Sequence, residues 1–427
     1  MSGAVRGLAP LQQRLDNGAT VIARQTPTHP AVTVFGSVPA GSGFDPEPLP
    51  GLAALTARTL DRGTATRSSE ALAEAFDGFG VSLSLGATRH HLTFGFTCLS
   101  EDLEAVLALV ADVLRHPVFP AEQVERRRTS LITSLRQDED TPALVATNAL
   151  MTLLYPAHPY GRPVKGTVAS VERIERHALV DFHAAHVGAA GLRIVLVGDV
   201  EAERAVDLAA AVFGDWDVPG GEPLELPPVT PPETRVERTI VMPGKSQSDI
   251  AYGFVSIARR DPRYYAFLVL NNILGQYGLG GRLGDSIRER QGMAYYAYSA
   301  FDANVAPGPL VVRAGVSPAN VRRAIASIDE EIARMAADGV TEQELADARQ
   351  YLIGSMPRML ETNGGIASFL HSADVFGLGL DYDARLPGLI AAVSRDEVVD
   401  VARAFLAPER AAVVVAGPPE GRPDQAS

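Results

Sequence analysis

The order of strands and helices repeats once along this chain, and the repetition limits the folds open to it more than any other feature. Two apolar runs, Leu192 to Asp199 (LRIVLVGD) and Ala411 to Gly417 (AAVVVAG), have the composition of buried strands and close the two parts. In each part, strands are followed by helical segments, then by two further strands, more helix and a final strand. Two segments of roughly 200 residues with one α+β order indicate a duplicated fold.

Periodicity predicts the elements of each part. Alternating apolar and polar residues predict strands, and helical spacing predicts helices. The predicted strands are within Leu15 to Val38 and Val81 to Leu99, up to Ser256, and at Ala294 to Phe301 and Leu310 to Val316. The predicted helices are Leu52 to Leu60, Ser69 to Phe79, Asp102 to Leu114, Ala121 to Gln137 and on to Leu154, Pro262 to Leu274, and Pro318 to Asp338.

Proline and glycine are concentrated between the two parts, in Pro219 to Glu233 (PGGEPLELPPVTPPE). Proline fixes the backbone and withholds a hydrogen-bond donor, so this segment is poorly suited to a helix or an internal strand. We therefore predict an N-terminal domain at 1–218, a linker at 219–233 and a C-terminal domain at 234–427.

Charge and composition exclude several classes of function. The chain has 51 acidic and 38 basic side chains, a net charge of -13 that repels a nucleic-acid backbone and offers no polybasic membrane anchor. The start, MSGAVRGLAPLQQRLDNG, has no apolar signal segment, and no run of about 18 apolar residues follows. We predict a soluble, cytoplasmic protein without nucleic-acid or membrane partners. Cys98 is the single cysteine, so the chain alone builds no thiolate zinc site.

Four segments resemble the pitrilysin and mitochondrial processing peptidase family of zinc peptidases. Pro50 to Thr64 (PGLAALTARTLDRGT) resembles the family's Gly-x-Ala-His-x-x-Glu-His helix with its trailing Gly-Thr. The other three are His158 to Thr167, the strand ending in Val-Gly-Asp at Asp199, and Ser286 to Tyr295. The resemblance implies two homologous halves of the processing-peptidase-like metallohydrolase fold. Each would be an antiparallel-rich sheet packed by helices, and together they would form a clamshell.

The zinc chemistry of that family is missing from this sequence. Two imidazoles one helical turn apart hold the ion, and a glutamate between them acts as general base. The matching positions are Ala54, Ala57 and Arg58, and the family's third ligand, a glutamate, aligns with Ser134. Neither alanine can bind a metal, and a guanidinium repels a divalent cation. Among the nine histidines no third ligand falls at a convincing spacing, so we predict no metal or cofactor in this chain.

A second feature of the family is retained in the C-terminal half. The resemblance implies that Arg288 and Tyr295, seven residues apart, act at an active site built by an N-terminal half. A phenol can donate a hydrogen bond to the negative charge that develops on the carbonyl oxygen, and a guanidinium adds positive charge. Gly292 is expected to end the helix of Arg288 with a positive φ. The alternative is that Arg288 is a solvated helix residue and Tyr295 an ordinary strand aromatic.

Substrate contacts are predicted at two further places. Gly280 and Gly281 lie in a glycine-rich segment that can line the family's chamber, although a plain turn explains them equally well. Ser82 and Ser84 lie in the counterpart of the family's peptide-pairing sheet edge, and whether this edge still binds peptide is left open.

Together these features predict a non-catalytic subunit of a heterodimeric zinc peptidase that cleaves peptides or unfolded small proteins. A zinc-binding paralogue with His-x-x-Glu-His would be the partner, and this chain would be inactive alone. Isolated chains could also pair with themselves. The alternative function is a purely structural or peptide-binding homologue, similar to the core subunits of respiratory complexes, without a role in proteolysis.

Overall fold

The part of the chain that the computed structural model describes, residues 7–216, 224–276 and 280–419, contains eleven strands. These strands are β1 (Leu11–Arg14), β2 (Thr20–Gln25), β3 (Ala31–Val38), β4 (Ser84–Ala87), β5 (Leu92–Leu99), β6 (Arg193–Gly198), β7 (Val236–Val241), β8 (Ser248–Val255), β9 (Ala294–Phe301), β10 (Pro309–Val316) and β11 (Ala412–Gly417).

Helical periodicity gives fourteen α-helices in the same described ranges. They are α1 (Leu52–Ala57), α2 (Ser69–Gly78), α3 (Leu103–Arg115), α4 (Ala121–Glu139), α5 (Pro142–Leu154), α6 (Val168–Val171), α7 (Arg176–His186), α8 (Ala202–Phe213), α9 (Tyr264–Asn271), α10 (Val321–Ala337), α11 (Glu342–Met359), α12 (Asn363–Val375), α13 (Tyr382–Ala391) and α14 (Arg395–Phe405). Two π-helical segments, Asn272–Gln276 and Gly284–Arg290, lie between α9 and β9. No helix in the described ranges is both long and apolar enough to cross a membrane.

Five strands of the first sheet have the same topology as the five strands of the second, and β1 adds a sixth strand at one edge of the first. The strand orders of the two sheets are β1-β2-β6-β3-β5-β4 and β7-β11-β8-β10-β9. In each, the last strand of the chain segment lies between a parallel neighbour and an antiparallel one: β6 between β2 and β3, and β11 between β7 and β8. The duplicated α+β fold with antiparallel-rich sheets is thereby confirmed. It follows that β4 and β9 are equivalent edge strands.

The chain divides into two compact units, each assembled from three stretches. The first comprises Met1–Arg136, Pro163–Glu225 and Met356–Ala384, and the second comprises Gln137–Arg162, Leu226–Ser355 and Arg385–Ser427. The division predicted above, at 1–218, 219–233 and 234–427, remains a prediction. Residues 219–223 of the predicted linker lie outside the described residues, and 224–233 contain no helix or strand.

Each central strand is buried on both faces because helices cover both sides of its sheet. In the first unit, Val195 and Val197 of β6 pack against Ile366 and Leu370 of α12, while Ile194 and Leu196 belong to the main core. In the second unit α5 covers β8 and β11. This two-sided cover explains why β6 and β11 are continuous apolar runs rather than alternating ones.

Candidate functional site

The short helix α1, which carries two of the four degenerate metal positions and ends at a third, is held at its start by a buried carboxylate. The Gly51 N–H donates to Asp45 Oδ2 at 2.7 Å, and the Ala53 N–H donates to Asp45 Oδ1 at 2.8 Å. Both bonds satisfy amides that a helix start otherwise leaves unpaired. All six residues of α1 are buried, so the position of this helix is fixed on every side.

A close backbone approach fixes the turn that faces the start of α1. Gly166 has φ +75°, and a Cβ at this position would lie 2.1 Å from the carbonyl oxygen of Pro50. The Ser170 hydroxyl donates to the same oxygen at 2.7 Å. The preceding residue, Lys165, has its ammonium 3.4 Å from the Ser134 hydroxyl, which joins this turn to α4.

We expect Gly166→Ala to lower the free energy of unfolding by about 2 kcal/mol or more, because the left-handed backbone and the Pro50 contact both exclude a methyl group. Urea denaturation measures the change. Gly354→Ala is the matched control, since a methyl group on this helical glycine would meet no other described residue within 4 Å and alanine favours helix. Equal stability of Gly166→Ala and the unmodified chain would contradict the expectation.

The degenerate metal positions do not fit zinc. Ala54 and Ala57 are buried methyl groups without lone pairs, and Arg58, which caps the end of α1, brings a permanent positive charge. Ser134 on α4 is a neutral hydroxyl, which zinc sites rarely use. Across residues 7–216, 224–276 and 280–419, no three His, Cys, Asp or Glu side chains are grouped so that they could hold a metal ion.

Three histidines have packing roles instead. His158 Nδ1 accepts the Tyr160 N–H at 3.0 Å and so fixes its own loop. His183 Nε2 is 2.8 Å from the Leu114 carbonyl oxygen, so it ties α7 to α3. His371 Nε2 is 2.7 Å from the Ser37 hydroxyl, which joins α12 to the first sheet.

Positive charges occupy the region of the lost metal ligands. Arg127 on α4 interacts electrostatically with Arg58 and with the ion pair of Arg62 and Asp61, whose closest atoms are 2.7 Å apart. Burial lowers the pKa of Arg127, and the positive charges of Arg62 and Arg58 lower it further, while Asp61 acts in the opposite direction. No sequence motif marks Arg127, although its place seven residues before Ser134 puts both on one face of a helix.

The predicted peptide-pairing edge is an edge of the first sheet. β4 has β5 as its single neighbour in the sheet order, so its outer backbone groups have no strand partner there. Ser84 opens β4 and is exposed, whereas Ser82 lies two residues before the strand and is also exposed. The role of these serines in binding remains a prediction.

Arg288 and Tyr295 lie in the second unit, on either side of a helix end. Arg288 belongs to the π-helical segment Gly284–Arg290, and its Nε and Nη2 donate to Glu289 Oε1 at 2.9 and 2.7 Å. Gly292 has φ +60°, as predicted, and turns the chain into β9. Tyr295 is the second residue of that edge strand.

The three neighbouring tyrosines of β9 differ in their surroundings. Tyr296 donates to Asp249, and burial followed by this contact raises its pKa. Tyr298 lies 3.5 Å from Arg313, on the same face of the strand as Tyr296. Tyr295 points the opposite way, is 79% exposed, and its hydroxyl has no hydrogen bond within the described residues. A strand aromatic that merely packs would bury its ring, so Tyr295 stands apart from its neighbours.

Gly280 and Gly281 border a cavity in the second unit. Residues 277–279 of the glycine-rich segment lie outside the described residues. The cavity has a volume of about 400 Å³, and its wall includes Asn272, Arg282 and Glu344. Because Arg282 donates to both Glu344 oxygens, at 2.7 and 2.9 Å, these two charges of the wall neutralise each other. Substrate contact by either glycine remains a prediction.

Comparisons with known proteins agree with this architecture. Residues 20–168 match the protein family described as "Insulinase (Peptidase family M16)", and residues 173–352 match the family described as "Peptidase M16 inactive domain". An uncharacterised zinc protease of Mycobacterium tuberculosis is 30% identical over 416 residues, covering 96% of this chain and 94% of that protein.

Solved structures show the same fold. The crystal structure of a peptidase M16 inactive domain from Pseudomonas fluorescens superposes with a TM-score of 0.89 at 27% identity, over 96% of this chain and 98% of that one. A protease from Helicobacter pylori gives a TM-score of 0.88 over 96% and 99% of the two chains. At 15% identity, the second similarity concerns the fold alone.

Proposed function

Because this chain belongs to peptidase family M16, the insulinase family, we propose that it is the non-catalytic subunit of a two-chain zinc peptidase. In this proposal a paralogous subunit holds the zinc ion and the general base. This chain contributes Arg288 and Tyr295 to the substrate at the partner's site. The pair of subunits hydrolyses peptides or unfolded small proteins, and this chain alone hydrolyses none.

The exposure of Tyr295 is the observation that carries the proposal. Its phenol lies on an edge strand, free of hydrogen bonds in the described ranges, while Tyr296 and Tyr298 of the same strand are engaged within the fold. A free O–H donor on a sheet edge is available to a peptide carbonyl held beside it. Peptide hydrolysis places negative charge on that oxygen, where a positioned donor lowers the barrier.

The ion pair of Arg288 and Glu289 supports the assignment of the arginine. Two hydrogen bonds to one carboxylate oxygen orient the guanidinium. Glu289 offsets much of the positive charge of Arg288, so we assign Arg288 a smaller share than Tyr295 in stabilising a developing oxyanion. The side chains of Ala54, Ala57 and Arg58 offer no metal-binding donor, which supports assigning the zinc ion to another chain.

The test mixes this chain with a His-x-x-Glu-His paralogue from the same organism and follows cleavage of an internally quenched peptide. We expect neither chain alone to cleave it, and the mixture to do so at a rate that saturates at a 1:1 ratio. A zinc chelator should abolish the activity. A stable complex that cleaves nothing would favour the structural alternative, and cleavage by this chain alone would contradict the proposal.

A further inference from the structure

Helix α4 carries three consecutive arginines, and in the described residues only the outer two make ion pairs. Arg126 donates to Glu122 at 2.5 Å, and Arg128 donates to Glu125 and, at 2.7 Å, to the Ile174 carbonyl oxygen. Across the same described ranges the Arg127 guanidinium makes no hydrogen bond and no ion pair. Arg127 therefore differs from both of its neighbours.

A second unpaired guanidinium lies near the same place. Arg58 follows the last residue of α1, and in the described ranges its guanidinium also makes no hydrogen bond or ion pair. Arg62 is paired with Asp61 at 2.7 Å. Arg127 thus interacts electrostatically with two other guanidinium groups, those of Arg58 and Arg62, and with one carboxylate, that of Asp61, in a protein whose net charge is -13. The Asp61 carboxylate balances the charge of Arg62, so the positive charges of Arg58 and Arg127 have no ion-pair partner in the described residues.

This arrangement is unfavourable in the chain alone. Arg58, Arg62 and Arg127 are each only partly exposed, so solvent screens their mutual repulsion less than it would on an open surface. Burial and these neighbouring charges lower the pKa of Arg127. Uncompensated charge that persists in a folded protein is typical of a site that binds the opposite charge.

We propose that Arg58, Arg62 and Arg127, named here the arginine cluster, bind a peptide carboxylate at the place of the lost zinc site. The guanidinium groups of Arg58 and Arg127 supply planar pairs of N–H donors that match the two oxygens of a carboxylate. Arg62 adds charge and is itself positioned by Asp61. The methyl side chains of Ala54 and Ala57 contain no acceptor that would compete with a peptide carboxylate for these arginines.

The proposal goes beyond the role of Tyr295 and needs no partner subunit. The arginine cluster belongs to the first compact unit, whereas Arg288 and Tyr295 belong to the second. Binding by this chain alone can therefore succeed or fail independently of any gain of hydrolysis on mixing.

The test measures binding of fluorescein-labelled octapeptides to the full chain by fluorescence anisotropy. One peptide carries a Glu-Glu pair and an amidated C-terminus, the second has Gln-Gln in its place, and the third is the Gln-Gln peptide with a free C-terminal carboxylate. We expect the Glu-Glu peptide to bind at least about tenfold more tightly than its Gln-Gln counterpart, and the third peptide to show whether a terminal carboxylate suffices. Inorganic phosphate serves as a competitor.

Variants assign the binding to the cluster. R58Q and R127Q are each expected to raise the Kd of the Glu-Glu peptide about tenfold, and added salt should weaken binding to the unmodified chain far more than to either variant. R126Q, on the same helix but paired with Glu122, is the control and should change the Kd less than about twofold. Urea denaturation should show that R127Q is at least as stable as the unmodified chain, since it removes like-charge repulsion.

Several results would overturn the proposal. The first is equal binding of the two amidated peptides, Glu-Glu and Gln-Gln, together with no binding of the peptide that has a free C-terminal carboxylate. The second is an equal loss of affinity for the Glu-Glu peptide in R127Q and R126Q. The third is binding of inorganic phosphate without binding of either the Glu-Glu peptide or the peptide with a free C-terminus. Loss of stability in both R58Q and R127Q would instead identify the cluster as part of the fold's own packing and would also contradict it.

Discussion

Replacing Tyr295 by phenylalanine is expected to lower kcat of the proposed two-chain peptidase about 100- to 1,000-fold, the usual effect of removing one donor to an oxyanion. The variant loses one hydroxyl whose hydrogen-bonding capacity is unused within the described part of the fold. Folding and assembly should therefore be unchanged. Because the lost bond forms in the transition state, kcat and kcat/KM should fall together while KM changes little.

Tyr298→Phe is the matched control for this experiment. It makes the same chemical change on the same strand, on the face opposite to Tyr295. We expect it to keep the rate of the unmodified complex within about twofold. Size-exclusion chromatography of the mixtures would show that both variants still assemble. An unchanged rate for Tyr295→Phe, or equal losses in the two variants, would remove the role assigned to Tyr295.

Acid is expected to destabilise the first unit through two histidines, the buried His371 and the half-buried His91. Burial lowers the pKa of His371 from 6.5 to about 4, and the nearby Arg193 charge acts in the same direction. The pKa of His91 also falls to about 4, through burial and then the charges of His371 and Arg193. Their rings are 6.4 Å apart, and the Arg193 Nε donates to Asp374 at 2.7 Å.

The direction of the effect follows from proton uptake. Between pH 6.5 and 4 the unfolded chain binds protons at these histidines and the folded chain does not, so stability present above pH 6.5 is lost as the pH falls. At about 1.4 kcal/mol per pKa unit, His371 alone accounts for about 3 kcal/mol. Urea denaturation between pH 7.5 and 4 measures the loss.

His371→Gln should flatten this pH dependence, because glutamine fills the site and can hydrogen bond to Ser37 without titrating. His177→Gln is the control, since His177 is 71% exposed beside Glu175 and should leave the slope unchanged. The same slope in His371→Gln as in the unmodified chain would show that other groups govern the acid response.

Local patterns in the sequence were sufficient to locate most of the elements. The predicted buried strand at Leu192 to Asp199 is β6 (Arg193–Gly198), and the predicted helix at Pro318 to Asp338 contains α10 (Val321–Ala337). Two helices were predicted too long, and the first, predicted at Leu52 to Leu60, ends at Ala57 as α1. Pro262 to Leu274 contains α9 (Tyr264–Asn271) and then the π-helical segment Asn272–Gln276, in which Gly275 has φ 173°, outside the helical region.

The sequence could not tell which sheet a helix covers. An apolar stripe shows that α5 and α12 are buried on one face, but any sheet could provide the opposing surface. In the structure α5 packs on β8 and β11, and α12 packs on β3 and β6, far away along the chain. Long-range packing of this kind leaves no local signal.

Residues of the candidate site could be predicted from the sequence where they replace the metal ligands of a known motif or belong to a retained motif. Ala54, Ala57 and Arg58 stand out because the helix around them matches a metal-binding pattern. Arg127 carries no such mark, since three consecutive arginines on a polar helix ordinarily indicate a solvated face. Arg127 differs from its neighbours because Glu122 pairs with Arg126 and Glu125 pairs with Arg128, and neither glutamate pairs with Arg127. Only the side-chain positions in the structure reveal this difference.

The position of α12 has a consequence for biosynthesis. Ile22, Val195 and Val197 present an apolar face that Ile366 and Leu370 cover. On the ribosome, β6 is complete long before α12 is made, with an interval of roughly 10 to 35 s at about 5 to 20 residues per second. Throughout that interval the nascent sheet is open on one side. Chains that end before residue 363 lack α12, so they would keep this apolar surface exposed and would aggregate.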